Sequence, residues 1–213
     1  MHLSKLALLC VVLSLLAGCT GLGGERHSGG VIYQNDFSVE SEDWLLESDL
    51  DASASYVDGQ LQLRVSSPNL IAWAELKEHQ FDDFELEAEA TQLAGPDNNS
   101  YGIVFRMKNP SAHYSFDISG DGYYRFNRRD EAEGGRWTEI IDWLESPAIH
   151  HGASTNMIRI VAQGNQFSFY INGQLVAEAN DDAYRSGSIG LSAGSFHEPG
   201  VEIAFDNLVV RRP

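Results

Sequence analysis

Phe84-Glu85-Leu86-Glu87-Ala88-Glu89-Ala90-Thr91 alternates apolar and polar side chains without a break. Successive side chains of an extended chain point to opposite faces. A period of two therefore puts Phe84, Leu86, Ala88 and Ala90 on one face and the three glutamates on the other. This pattern marks a strand with one face in a core and one in water. A helix needs apolar residues three and four apart, and no stretch beyond residue 30 keeps that spacing over the roughly ten residues a helix requires.

The same alternation recurs along the chain. Strands are expected over 60–65, 84–93, 101–108, 113–118, 123–128, 157–162, 166–171, 174–178, 188–193 and 201–210, and also at 31–35, 52–57, 71–76 and 138–142, about a dozen in all. Asp58-Gly59, Asp121-Gly122, Gly164-Asn165 and Asn172-Gly173 each separate two of them. Asx and glycine accept the positive φ that tight hairpins require, so neighbours pair antiparallel. One open sheet of this length would expose an apolar face. The expected fold is all-β, a two-sheet antiparallel jelly-roll sandwich.

The N-terminus is different. Lys5 precedes an apolar run over 6–16, too short for the roughly 20 residues that span a bilayer, and the run ends in Leu16-Ala17-Gly18-Cys19. That ending resembles the lipobox of bacterial lipoproteins. The resemblance implies removal of residues 1–18, lipidation of Cys19, a flexible tether over 19–30 and one domain over 31–213. It further implies export and anchoring to the cell envelope, in the outer membrane of a Gram-negative cell because Thr20, not aspartate, follows the cysteine. With Cys10 removed and Cys19 acylated, no disulfide is available to the mature chain.

The net charge of −17 becomes −18 once Lys5 is lost. Such a surface repels nucleic acid and anionic lipid. Six arginines and lysines nevertheless fall in 106–136 with only five acids, which leaves that segment near neutral.

Several segments occur in a telling order: Asn35-Asp36-Phe37, Phe84-Glu85-Leu86-Glu87-Ala88, Tyr101-Gly102-Ile103-Val104-Phe105-Arg106, Gly120-Asp121-Gly122-Tyr123-Tyr124, Tyr170-Ile171-Asn172-Gly173, Gly187-Ser188-Ile189-Gly190-Leu191 and Phe205-Asp206-Asn207-Leu208-Val209-Val210. Over about residues 31–212 the chain resembles the concanavalin A-like, laminin-G-like jelly-roll domains of bacterial envelope proteins, above all the branch with the 3-keto-disaccharide hydrolase (glycoside-hydrolase-like) domains. Tyr114-Ser115-Phe116-Asp117-Ile118 stands where that branch usually carries a Glu- and Gln-bearing strand. The resemblance implies the fold and a carbohydrate or envelope component as partner.

Three constellations could carry chemistry. Glu85, Glu87 and Glu89 are similar to the Glu-x-Asp-x-Glu strand of laminarinase- and lichenase-type glycosidases, whose outer glutamates are nucleophile and acid/base. Retaining hydrolysis wants carboxyl groups about 5–5.5 Å apart, whereas Cα atoms four residues apart on a strand are about 13 Å apart. The second set is Arg106, His113, Ser115, Asp117, Arg125 and Asn127, expected on one sheet face, with Tyr124 and Arg128 on the other. Planar hydrogen-bonding groups suit sugar hydroxyls, and Trp73, Trp137, Trp143, Tyr123 or Tyr124 would supply an aromatic platform. From this set the expected ligand-binding residues are Arg106, His113, Asp117, Tyr123, Arg125 and Trp137, and His113 and Asp117 join Glu85 and Glu89 as catalytic alternatives. The third set is Asp36 and Asp206, where related modules hold a structural Ca²⁺ with help from groups such as Asn35 and Asn207. His150-His151 reads as a solvated loop. No phosphate loop, zinc motif or serine elbow is present.

These features lead to the expectation of a lipid-anchored envelope protein with a non-catalytic carbohydrate-binding domain. The alternatives are a hydrolase of a keto-disaccharide or β-glucan and a structural lipoprotein that contacts another protein.

Overall fold

A computed structural model describes residues 29–213, so the expected signal segment, Cys19 and the tether as far as residue 28 lie outside the described residues. The described chain folds into two antiparallel sheets. The first runs, in spatial order, β13 (Gln174–Asn180), β12 (Gln166–Ile171), β11 (Thr155–Gln163), β6 (Phe84–Ala94), β15 (Val201–Arg211), β4 (Gln60–Val65) and β3 (Ala52–Val57), with β1 (Val31–Asn35) on the far half of β15. The second runs β10 (Arg136–Glu145), β9 (Tyr123–Asp130), β8 (Ala112–Ile118), β7 (Asn99–Asn109), β14 (Ser188–Ser195), β5 (Ile71–Leu76) and β2 (Trp44–Leu46). This is the jelly-roll sandwich that the alternation implied. At three residues, β2 is too short for alternation to reveal.

The apolar alternates of the two sheets meet in one core. Phe116 of the second sheet stacks on Phe169 of the first with centroids 4.3 Å apart, and Phe105 and Phe126 complete the cluster. Truncating such a ring to alanine typically costs about 3–5 kcal/mol. Turn chemistry holds the edges: Asp58-Gly59 and Asn172-Gly173 both adopt positive φ at their two positions, as a two-residue hairpin loop demands. Tyr124, considered above as a platform, belongs to this core, and its hydroxyl donates to the Val176 carbonyl. Arg128 pairs with Asp130 and Asp181.

The structure corrects the place of Arg106. Strict alternation would put it on the face with Val104, but β7 bulges between Phe105 and Asn109, and Arg106 takes φ 48°. The bulge turns the side chain out of that face and buries it completely. Its guanidinium donates to the carbonyls of Asp82, Gly164 and Tyr184 and lies over Phe167 of the first sheet. Arg106 is a structural tie between segments, not a ligand-binding residue.

Candidate functional site

Pairing across the second sheet aligns its outer residues in rows. One row reads Trp73, Ser192, Gly102, Asp117 and Arg125. The next reads Glu75, Gly190, Val104, Ser115, Asn127 and Glu139, and a third carries His113, Arg129 and Trp137. The centre of the face is therefore made of glycine, serine and valine, while the large side chains rise at its sides. Gly102 shows how tight the floor is, because a Cβ there would overlap the Phe116 carbonyl of β8.

Aromatic rings lean over this floor. Trp73 and His113 lie three strand spacings of about 4.8 Å apart, yet their rings meet edge-on at 6.3 Å, and the His113 ring meets Trp137 at 5.4 Å. The face is therefore cupped, with a wall of three rings on one side. A second wall forms where Trp143 meets Phe196 at 6.2 Å. Arg125 lies over the Trp143 ring at 4.6 Å and donates through Nε to Asp117 Oδ2 at 3.0 Å. Arg129 lies over Trp137, and its Nε is held by the Gly135 carbonyl. Between the walls is a cavity of about 290 Å³, reached by Ser100, Arg125, Asn127, Trp137, Glu139 and Phe196.

The floor is polar but incompletely bonded. Among the described residues, His113 Nδ1, Asn127 Oδ1 and Ser192 Oγ are buried with no hydrogen-bond partner. All three lie on this face. A buried polar atom left unpaired costs about 1–3 kcal/mol, so a polar partner at any of the three would be stabilising. Burial drives the His113 imidazole down to about 4, and the Asn109 backbone offsets only part of the effect, while the Arg129 charge adds to it. The ring is therefore neutral at pH 7, with one nitrogen a donor and the other an acceptor.

His113, Asp117, Tyr123, Arg125 and Trp137, all expected at the site, do share this face. Tyr123 stands at its end beside Trp143 and Phe196. Trp73 and Trp143 stand in its walls, and Trp44 alone of the four tryptophans is in the core. Sequence reasoning missed Ser192, Arg129, Glu139 and Phe196. A signal for the first was present. In β14 the alternates of Ile189, Leu191 and Ala193 are Ser188, Gly190, Ser192 and Gly194, a face of uniformly small residues.

The glutamate strand is a correction. Glu85 and Glu89 project from the outer side of the first sheet, across the core from the cupped face. There Glu85 meets Arg159 at 3.4 Å, Glu87 meets Arg211 at 3.0 Å, and Glu89 accepts from Asn207 at 3.1 Å. On this side of β6 Glu85 is buried and Glu87 and Glu89 are half-buried, Glu85 and Glu87 are ion-paired with neighbouring strands, and none of the three stands on the cupped face.

The first and last strands do pair, which brings Asp36 and Asn207 to one cleft of about 320 Å³. Asp206 does not line it. Asp36 Oδ1 accepts from the Ser38 amide and hydroxyl, Asp206 Oδ1 from the Asn207 amide, and Asn35 Oδ1 from the Phe37 amide. Calcium takes six to eight oxygens, and among the described residues no three acidic, histidine or cysteine side chains converge. Asp36 and Asp206 each serve a local turn. His150 and His151 are exposed in the loop before β11, and His150 Nδ1 faces the Thr155 carbonyl.

The jelly-roll sandwich has known structural counterparts. The chain is similar to the carbohydrate binding module CBM66 from Bacillus subtilis, with TM-score 0.64 and 18% identity over 79% of this chain and 95% of that one. It is also similar to the Bacillus licheniformis β-glucanase, with TM-score 0.63 and 14% identity over 88% of this chain and 100% of that one. The catalytic domain of an endo-1,3-β-glucanase (laminarinase) from Thermotoga petrophila gives TM-score 0.61 and 10% identity over 88% and 99%. At these identities the likeness establishes the fold. No curated protein matches the sequence. Residues 29–211 match the family model of the 3-keto-alpha-glucoside-1,2-lyase-like domain, and the chain belongs to that family.

Proposed function

We propose that the cupped face of the second sheet is a carbohydrate-binding groove on an exported, lipid-anchored envelope protein. The observation that carries this reading is the set of buried atoms without partners, His113 Nδ1, Asn127 Oδ1 and Ser192 Oγ, between two aromatic walls. Sugar hydroxyls both donate and accept, so they can partner each of these groups. The tryptophan walls match the apolar faces of a pyranose. Similarity to a carbohydrate binding module supports the same class of ligand. The Leu16-Ala17-Gly18-Cys19 motif supports the anchor, and Thr20 supports an outer-membrane location in a Gram-negative cell.

Family membership favours a second reading, elimination on a keto-disaccharide. In that reaction a base removes the proton beside the ketone, a carbon–carbon double bond forms, the glycosidic C–O bond breaks and the leaving oxygen gains a proton. Asp117 and neutral His113 are groups of the right kind on the cupped face.

A glycan array that includes 3-keto-disaccharides, monitored for both retention and product, separates the readings. Retention without product supports the binding groove, and release of sugar with an enone chromophore supports the lyase. If neither occurs, the groove reading fails in favour of a protein-contacting lipoprotein.

A further inference from the structure

Building on the carbohydrate reading of the groove, we infer that its ligand is an acidic sugar, whose carboxylate pairs with Arg129 beside the Trp137 wall. Segment 106–136 stays near neutral in a chain of 31 acidic and 14 basic residues, and the structure shows where its charges go. Arg106 pairs with Asp83, Arg125 with Asp117, Arg128 with Asp130 and Asp181, and Arg136 with Glu133. Arg129 is the one arginine of the segment with no carboxylate partner among the described residues. In so acidic a protein, a half-buried cation left unpaired on the cupped face is open to an anion from outside.

The guanidinium is already fixed. Its Nε donates to the Gly135 carbonyl at 3.0 Å, and the Gly135 amide in turn donates to the Asp130 carbonyl at 2.8 Å. The same group lies over the Trp137 ring at 5.4 Å. Its two terminal nitrogens bond to nothing among the described residues, and paired N–H groups of this kind match the two oxygens of a carboxylate. Binding therefore requires little ordering of the arginine. The neighbours suit the rest of a sugar. His113, whose Nδ1 lacks a partner, meets the Trp137 ring and is kept neutral by burial and by the Arg129 charge. It offers a hydrogen-bonding atom without a charge of its own. Across the β9–β10 pair Arg129 stands opposite Trp137, and Glu139 opposite Asn127 one row further in. The exposed Glu139 carboxylate lines the cavity, where it accepts from hydroxyls and repels an acid. The acidic end of the ligand is thereby directed to Arg129 and the hydroxyl edge to the floor.

Calorimetric titration of the full-length protein with matched methyl glycosides, glucoside against glucuronide and galactoside against galacturonide, tests the inference. The acid of at least one pair should bind about tenfold more tightly than its neutral counterpart, the contribution of charge-assisted hydrogen bonds. Added salt should shrink that advantage and leave the neutral sugar's affinity unchanged. Arg129→Gln should abolish the advantage, while Arg64→Gln on the other sheet should change neither affinity. Binding of the neutral sugars with no advantage for either acid, or an advantage that survives Arg129→Gln, overturns the acidic ligand while leaving the groove intact. Should Arg129→Gln fail to fold, an advantage in wild type that salt does not reduce overturns it equally. If no member of either pair binds, the groove reading falls and takes the acidic ligand with it.

Discussion

Arg125 Nε donates to Asp117 Oδ2 at 3.0 Å across the β8–β9 pair, with side-chain exposures of 17% and 7%. Ser115 donates to the same oxygen at 3.3 Å. The pair fixes the guanidinium over Trp143 and so joins the floor of the groove to one of its walls. Removing one partner strands the other charge under cover. Asp117→Ala should therefore cost about 3 kcal/mol or more and weaken ligand retention, whereas Asp117→Asn keeps the shape with a smaller loss. Urea denaturation alongside binding measures both effects.

His113 makes stability depend on pH in a defined window. Its imidazole titrates near 4 when folded, against 6.5 as an ordinary value. Between these limits the unfolded chain binds the extra proton, so stability falls as pH drops from about 6.5 toward 4 and levels off below. The largest contribution is about 3 kcal/mol. Denaturation of wild type and His113→Gln at pH 7 and 4.5 should show a smaller pH dependence in the variant. An NMR titration placing the His113 ring near 6.5 would contradict the buried, neutral ring.

Arg106 should matter to stability and not to recognition. Its loss leaves the Asp82, Gly164 and Tyr184 carbonyls without their donor. Arg106→Ala should lower stability by about 3–5 kcal/mol, seen as a lower Tm. Under conditions where the variant is folded, its affinity for ligand should equal that of wild type.

Lipidation at Cys19 is testable without a ligand. Wild-type protein expressed in a bacterial host should incorporate labelled palmitate and sediment with membranes, while Cys19→Ser should do neither. Unlabelled wild-type protein in the soluble fraction would remove the anchor.

Much of the fold was legible because strand formation is written locally. Alternation in 84–91 and the Asx-Gly turns depend on neighbours one or two residues away, and the structure places β6 and its hairpins accordingly. Half of the site was legible for the same reason: His113, Asp117, Arg125 and Tyr123 are outward alternates of two adjacent strands joined by a short turn. Arg106 escaped that logic because one bulge shifts the alternation by a residue. Arg129 continues the outward alternation of β9 and Ser192 that of β14, whereas Phe196 enters from the loop after β14, and no local pattern links the three to one groove.

The sequence by itself determined a two-sheet antiparallel sandwich, because period two, turn residues and the need to bury one face of each strand leave little else. Only the tertiary structure decided which sheet carries the site. The glutamate strand and the Arg125 strand have the same kind of wet face in the sequence. Pairing puts two ion-paired glutamates and Glu89, bonded to the Asn207 amide, on the side of the first sheet away from the core, whereas the cupping of the other sheet brings Trp73, His113 and Trp137 into contact over a floor of glycine and serine. Sheet curvature is a property of long-range pairing and packing, and no single strand encodes it.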